Sequence, residues 1–134
     1  MGPLYGSMFR SMARAVKNNE NIDSSALENM LTTASQAITE LGEAKVGDKT
    51  LVDTLEPASQ AVTKARSNNK SFLETIDEMI AAAEKGWRST EAMVAKIGRS
   101  ARLGERSKGV LDAGATSCFL LLKSMGKTMK ELIQ

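Results

Sequence analysis

The sequence predicts an all-α, antiparallel helical assembly, and three observations carry that prediction. Apolar residues recur at three- and four-residue spacing in one segment after another. Capping residues and glycines punctuate those segments where helices begin and end. No segment alternates convincingly at the two-residue period of a half-buried strand. At 134 residues the chain has the size of a single domain, spanning 1–134, with one hydrophobic core.

Five major helices are expected. In the first, Leu4, Met8, Met12 and Val16 recur every four residues, and Pro3 suits an opening turn. Asp23 or Ser24 can cap a second, whose Leu27, Leu31, Ala34, Ile38 and Leu41 form a stripe; Gly42 stands where helices stop. A third carries Leu51, Leu55, Ala58, Val62 and Ala65, with Pro57 expected to kink it or mark a restart. Ser71 and Glu74 have capping-box spacing and open a fourth, with Ile76, Ile80, Ala83, Trp87, Thr90, Val94 and Ile97 on one face and Gly98 after it. The fifth starts near Ala115 and turns Cys118, Leu122, Met125, Met129 and Leu132 inward. Between the last two, residues 98–114 should be largely irregular, at one end of the bundle.

Composition excludes several classes of function. A formal charge of +2 argues against a dedicated nucleic-acid binder. Apolar runs are too short to cross a bilayer, and Gly6 stands where a myristoylation signal wants serine or threonine, so no membrane association is expected. The single cysteine, Cys118, lies in an apolar helical run and reads as an inert core thiol in a reducing compartment; the cytoplasm is the expected location. With no histidine there is no imidazole base, catalytic triad or ordinary zinc site. The eight methionines read as gap fillers of the core. Gly126-Lys127-Thr128 imitates the end of a P-loop, but Leu121 occupies the position of the required glycine.

Three polar segments remain. The first, Gly47-Asp48-Lys49-Thr50-Leu51-Val52-Asp53-Thr54-Leu55-Glu56-Pro57-Ala58, is a loop entering a helix. Either Asp48 or Thr50 could be its N-cap, with Asp53 a first-turn acid favoured by the helix dipole. The second, 96–108, gathers Lys96, Arg99, Arg102, Arg106 and Lys108 against Glu105 alone; it is either a solvated face or a set of phosphate-holding cations. The third, 103–117, is a long connection with three glycines in which Asp112 can cap the following helix and Gly114 would let a ligand approach free backbone N–H groups. An anion or nucleotide site and a plain flexible linker both fit that pattern.

Residues 47–58, then Gly98-Arg99-Ser100, Leu103-Gly104-Glu105-Arg106-Ser107 and Asp112-Ala113-Gly114-Ala115-Thr116-Ser117, closely resemble the L subunit of dihydroxyacetone kinase. The opening Gly2-Pro3-Leu4-Tyr5-Gly6 is similar to that family's glycine-rich turn into a helix. The resemblance implies an antiparallel helical barrel that binds ADP or ATP with magnesium at one end. It also implies phosphate transfer to dihydroxyacetone held covalently on a K subunit, or, in the phosphotransferase-system version, bound ADP recharged by an M subunit. Carried over position by position, the nucleotide contacts are Gly2, Gly42, Leu51, Arg99, Asp112, Ala113 and Gly114: Arg99 for phosphate or ribose, Leu51 for an apolar wall beside the base, Asp112 and Gly114 for the rim.

The resemblance covers about the C-terminal two-thirds of the family domain. The family's magnesium ligands lie in a Gly-Asp-x-Asp-His-Gly segment N-terminal to the matched region, and this chain has no aspartate before Asp23, so no metal ligand carries over. Ala113 replaces a usual proline, and Val110-Leu111 a polar pair. Three expectations follow: a chain inactive by itself as a kinase, weak magnesium-indifferent nucleotide binding, and homo-oligomers that cover apolar stripes left without neighbours. The alternatives are a non-catalytic interaction module that kept the fold, or the L-like domain of a kinase with another acceptor, such as a fatty acid.

Overall fold

The computed structural model describes residues 2–17, 22–42, 44–95, 104, 106 and 108–133. It is all-helical among them: α1 (Gly2–Ala15), α2 (Ser24–Gly42), α3 (Val52–Ser67), α4 (Phe72–Ser89), a 3-10 turn (Thr90–Ala92) and α5 (Ala113–Ile133). Each helix packs on its neighbours in the chain, most extensively α3 on α4, and α5 also reaches α3.

Contacts at both ends fix the antiparallel order. At one end the close of α1 meets the start of α2 (Asn29 Nδ2 donates to the Ala15 carbonyl), the close of α3 meets α2 (Arg66 pairs with Glu28), and the close of α5 meets α4 (Lys130 to Asp77, 2.6 Å). The starts of α3 and α5 and the close of α4 meet at the other end: Thr54 Oγ1 donates to the Ala115 carbonyl and the Asp112 amide to Thr90 Oγ1. The core between them holds Met8, Met12, Leu27, Leu31, Ile38, Leu55, Val62, Ile76, Met79 and Leu122.

Local chemistry sets the boundaries. Asp23 is the cap of α2, its Oδ1 accepting the Ala26 amide at 2.8 Å, so Ser24 becomes the first helical residue. Ser71 and Glu74 form the expected capping box, an arrangement worth about 1 kcal/mol. Between α3 and α4, Asn69 takes φ +56 while its amide bonds the Arg66 carbonyl and that of Lys70 bonds Ala65, a pairing that closes the helix on its own carbonyls.

Helix α3 continues through Pro57, so that residue does not mark a restart; the α4 backbone at Gly86 packs against the Asp53 carbonyl that position 57 cannot serve. Three expectations need correction. Helix α4 stops at Ser89, leaving Val94 beyond it. The hydroxyls of Ser89 and Thr90 donate to the Gly86 and Trp87 carbonyls (2.6 and 2.7 Å), competing with the helical ladder. Ile97 and Gly98 lie outside the described residues. Leu41 and Leu132, read as inward-facing, are 54% and 82% exposed. Finally, α5 starts at Ala113, two residues earlier than the apolar pattern.

Candidate functional site

The end where α3 and α5 begin concentrates buried polar chemistry. The loop before α3 uses Gly47 at φ +103, a left-handed conformation that glycine adopts without penalty. It closes on the Asp53 carboxylate: Oδ1 accepts the Gly47 amide at 2.7 Å and Oδ2 the Thr50 amide at 2.9 Å. Asp53 is 1% exposed, and these charge-assisted bonds compensate its burial. Neither candidate is the N-cap of α3: Leu51 holds that position, with no side-chain cap. Thr50 Oγ1 accepts the Val52 amide at 3.2 Å, whereas Asp48 turns back to the Lys45 amide at 3.1 Å.

Lys49 in that loop is buried, and its ammonium donates to the carbonyls of Met93 (3.2 Å) and Val110 (2.5 Å). It thereby ties the loop before α3 to both sides of the α4–α5 connection. On that connection the Gly109 amide donates to the Glu91 carbonyl at 2.7 Å.

Asp112 is the N-cap of α5, its Oδ2 accepting the Ala115 amide at 2.9 Å. The Gly114 amide bonds it as well. These amides were expected to be open to an anionic ligand; the Asp112 carboxylate takes that place. Partial burial raises the Asp112 pKa above its ordinary value, opposed by those two amides and the Lys49 charge and assisted by the Asp53 charge. The Asp112 carbonyl accepts from Thr116 Oγ1 at 2.7 Å, which in turn accepts from Trp87 Nε1 at 2.6 Å. The Trp87 ring stacks on Phe119, centroids 4.7 Å apart and 7° from parallel.

Of the residues singled out from sequence, Asp112, Ala113 and Gly114 stand together at the start of α5. Leu51 precedes α3 and is buried in the core. Gly2 opens α1 and Gly42 closes α2, termini that the antiparallel order assigns to the same end. Arg99 lies outside the described residues. Sequence reading missed Lys49, Thr54 and the Trp87–Thr116–Asp112 chain. The available signal was a lysine between an aspartate and a threonine in a glycine-bearing loop.

The carboxylates here are committed to backbone amides, and no group of three or more Asp, Glu or Cys among the described residues could hold a metal ion. Cys118 is buried on α5, which pushes its thiol up to about 12, the behaviour of an inert core thiol. No helix among the described residues is long and apolar enough to cross a membrane.

Comparison with known proteins supplies a context for this end of the bundle. Residues 1–127 match the DAK2 domain. The chain is 33% identical over 132 residues to the ADP-binding subunit of PEP-dependent dihydroxyacetone kinase 2 of Listeria innocua, covering 98% of this chain and 61% of that protein. It is 31% identical over 130 residues to the ADP-binding subunit of PEP-dependent dihydroxyacetone kinase of Escherichia coli, covering 97% and 62%. An L-erythrulose kinase of Pectobacterium atrosepticum is 29% identical over 128 residues, covering 96% of this chain and 22% of that protein. The chain thus spans about three-fifths of the length of the two ADP-binding subunits. A helical bundle matched by the DAK2 description over 127 of its 134 residues belongs to the DAK2-domain family.

Proposed function

We propose that this chain is an ADP- or ATP-binding unit of a dihydroxyacetone-kinase-type phosphotransferase, with the nucleotide at the end where α3 and α5 begin. The observation that carries this reading is the convergence there of Lys49, Asp53 and Asp112 beside the first turn of α5. The relatives named as ADP-binding subunits support it. Gly2, Gly42, Leu51, Arg99, Asp112, Ala113 and Gly114 are the proposed contacts. Arg99 meets phosphate or ribose, Leu51 backs the base, and Asp112 shapes the rim as an acceptor for a sugar hydroxyl. The amides it caps are already engaged.

The proposed partners are a K subunit holding the acceptor covalently and, in a phosphotransferase-system variant, an M subunit that recharges ADP. Phosphoryl transfer relies on metal ions to neutralise charge between the phosphates. The described carboxylates offer no such set, so these 134 residues bind nucleotide weakly, without help from magnesium, and do not turn over alone. Dihydroxyacetone is the proposed acceptor, and the erythrulose kinases among the relatives favour a longer ketose as the second reading. Self-association belongs to the same proposal: Phe9, Met12, Leu121 and Met125 line an apolar groove of about 400 Å³ between α1 and α5.

Calorimetric titration with ADP, with and without magnesium, tests the site. The expected result is weak binding that magnesium leaves unchanged and Arg99→Ala abolishes. Tight, magnesium-dependent binding would place a metal site that this account lacks, and no binding under any condition would leave an interaction module. Light scattering tests association, and a lone 14.4 kDa species at high concentration would remove it.

A further inference from the structure

Lys49 combines two unfavourable features. Its φ is +63, a left-handed backbone rarely adopted by residues other than glycine, asparagine and aspartate. The residue is 2% exposed, although lysines are almost never fully buried unless their ammonium is paired. Glycine or asparagine would relieve the backbone, and an apolar side chain would avoid desolvating a charge. Strained, over-determined positions of this kind cluster at functional sites.

What the ammonium gains is specific. It takes the carbonyls of Met93 and Val110, two positions far apart in sequence that leave α4 and approach α5. Next to them, the Gly109 amide closes on the Glu91 carbonyl and the Asp112 amide on Thr90 Oγ1 (3.0 Å). Three tethers therefore bring the end of the connection back to the top of α4, and Lys49 alone of the three joins them to the loop before α3. That loop is itself locked by Asp53.

The geometry points to Lys49 as a positioning residue: by clasping the carbonyls of Met93 and Val110 it sets where Asp112 and the first turn of α5 stand against the loop before α3, and so sets the affinity of that end for a nucleoside diphosphate. The second half rests on the nucleotide reading given above; the first does not. Lys49 touches backbone and not the ligand, so it acts through Asp112. Its charge also works against the burial that raises the Asp112 pKa.

Two variants separate ammonium from backbone. Lys49→Met keeps the left-handed strain and the length of the side chain while removing the charge; Lys49→Gly removes both strain and charge. Residue-resolved hydrogen exchange is measured beside calorimetric titration with ADP, and Lys49→Arg serves as the conservative rescue. In both uncharged variants, exchange at the Gly109 and Asp112 amides is expected to rise about tenfold or more, while amides inside α3 such as Val62 stay within about twofold. The Kd for ADP should rise about fivefold or more, with Lys49→Arg recovering most of both losses. Unchanged exchange at Gly109 and Asp112 in Lys49→Gly would overturn the clasp, and raised exchange with an unaltered ADP Kd would overturn its link to the ligand. If the unmodified chain binds no ADP, the nucleotide reading fails on its own, and exchange alone decides whether Lys49 positions Asp112.

Discussion

Replacing Gly86 by alanine puts a methyl group where two helix backbones meet. A Cβ at Gly86 would lie 2.0 Å from the Asp53 carbonyl oxygen and 3.1 Å from both the Asp53 carbonyl carbon and Pro57 Cγ. Pro57 has no N–H to offer the Asp53 carbonyl one turn earlier, and that carbonyl faces Gly86. Real Cβ atoms essentially never come closer than 3.0 Å to such a neighbour, so α3 and α4 must part locally by about 1 Å. Elsewhere in a helix the change from glycine to alanine gains about 1 kcal/mol. Over-packing typically costs about 1–3 kcal/mol and more when nothing can yield. Here both partners are backbone, and the faces forced apart hold Leu55, Ala58, Val62, Ile76, Met79 and Ala83. The clash wins, for a net loss of about 2 kcal/mol, or about 6–10 °C in Tm for a domain of this size. Gly126→Ala is the comparison. Its Cβ would meet Ile80 Cδ1 at 2.9 Å, the end of a side chain that can yield, and Ile76 Cγ2 at 3.0 Å, with no backbone atom among its near neighbours, and a smaller loss is expected. Thermal unfolding followed by far-ultraviolet circular dichroism reads both variants. A Gly86→Ala protein as stable as the parent would refute the close approach.

Asp112→Asn keeps a good N-cap and removes the charge. Because the folded-state pKa of Asp112 is raised, the folded protein holds that proton more tightly, and this aspartate makes stability fall as pH rises from its ordinary value of 3.8 upward. The stability of Asp112→Asn relative to the parent should therefore grow from pH 4 to pH 7 in denaturant titrations; a gap that shrinks would reverse the sign assigned to burial. Trp87, the one tryptophan, is tied through Thr116 to the Asp112 carbonyl. ADP should change its emission, and Thr116→Val should weaken that response without abolishing binding; emission insensitive to saturating ADP would separate the ligand from the start of α5.

Much of the fold was legible because its determinants are local. The stripes through Leu27, Leu31 and Ala34 and through Leu55, Ala58 and Val62 are buried as their spacing predicts. The capping box at Ser71 and Glu74 needs only residues three apart. Leu41 and Leu132 were misread because both sit in the last turns of their helices, where a periodic stripe continues past the neighbour it would need. The continuation of α3 past Pro57 involves a non-local contact: the carbonyl that Pro57 leaves unserved lies against Gly86 of another helix. The candidate site divides in the same way. Asp112 as a cap is a three-residue fact visible in sequence. The burial of Lys49 depends on Met93 and Val110, far along the chain, and its left-handed φ has no signature in residue identity.

Amide chemical-shift mapping during ADP titration locates the nucleotide, which is proposed to bind at the end where α3 and α5 begin. The largest perturbations are expected at Gly2, Gly42, Leu51, Arg99 and 112–114, with Lys49 and the Trp87 indole responding and the far end, around Ala15, Asn29 and Lys130, silent. Perturbations centred on the far end or on the groove between α1 and α5, or none at saturating ADP, would contradict it.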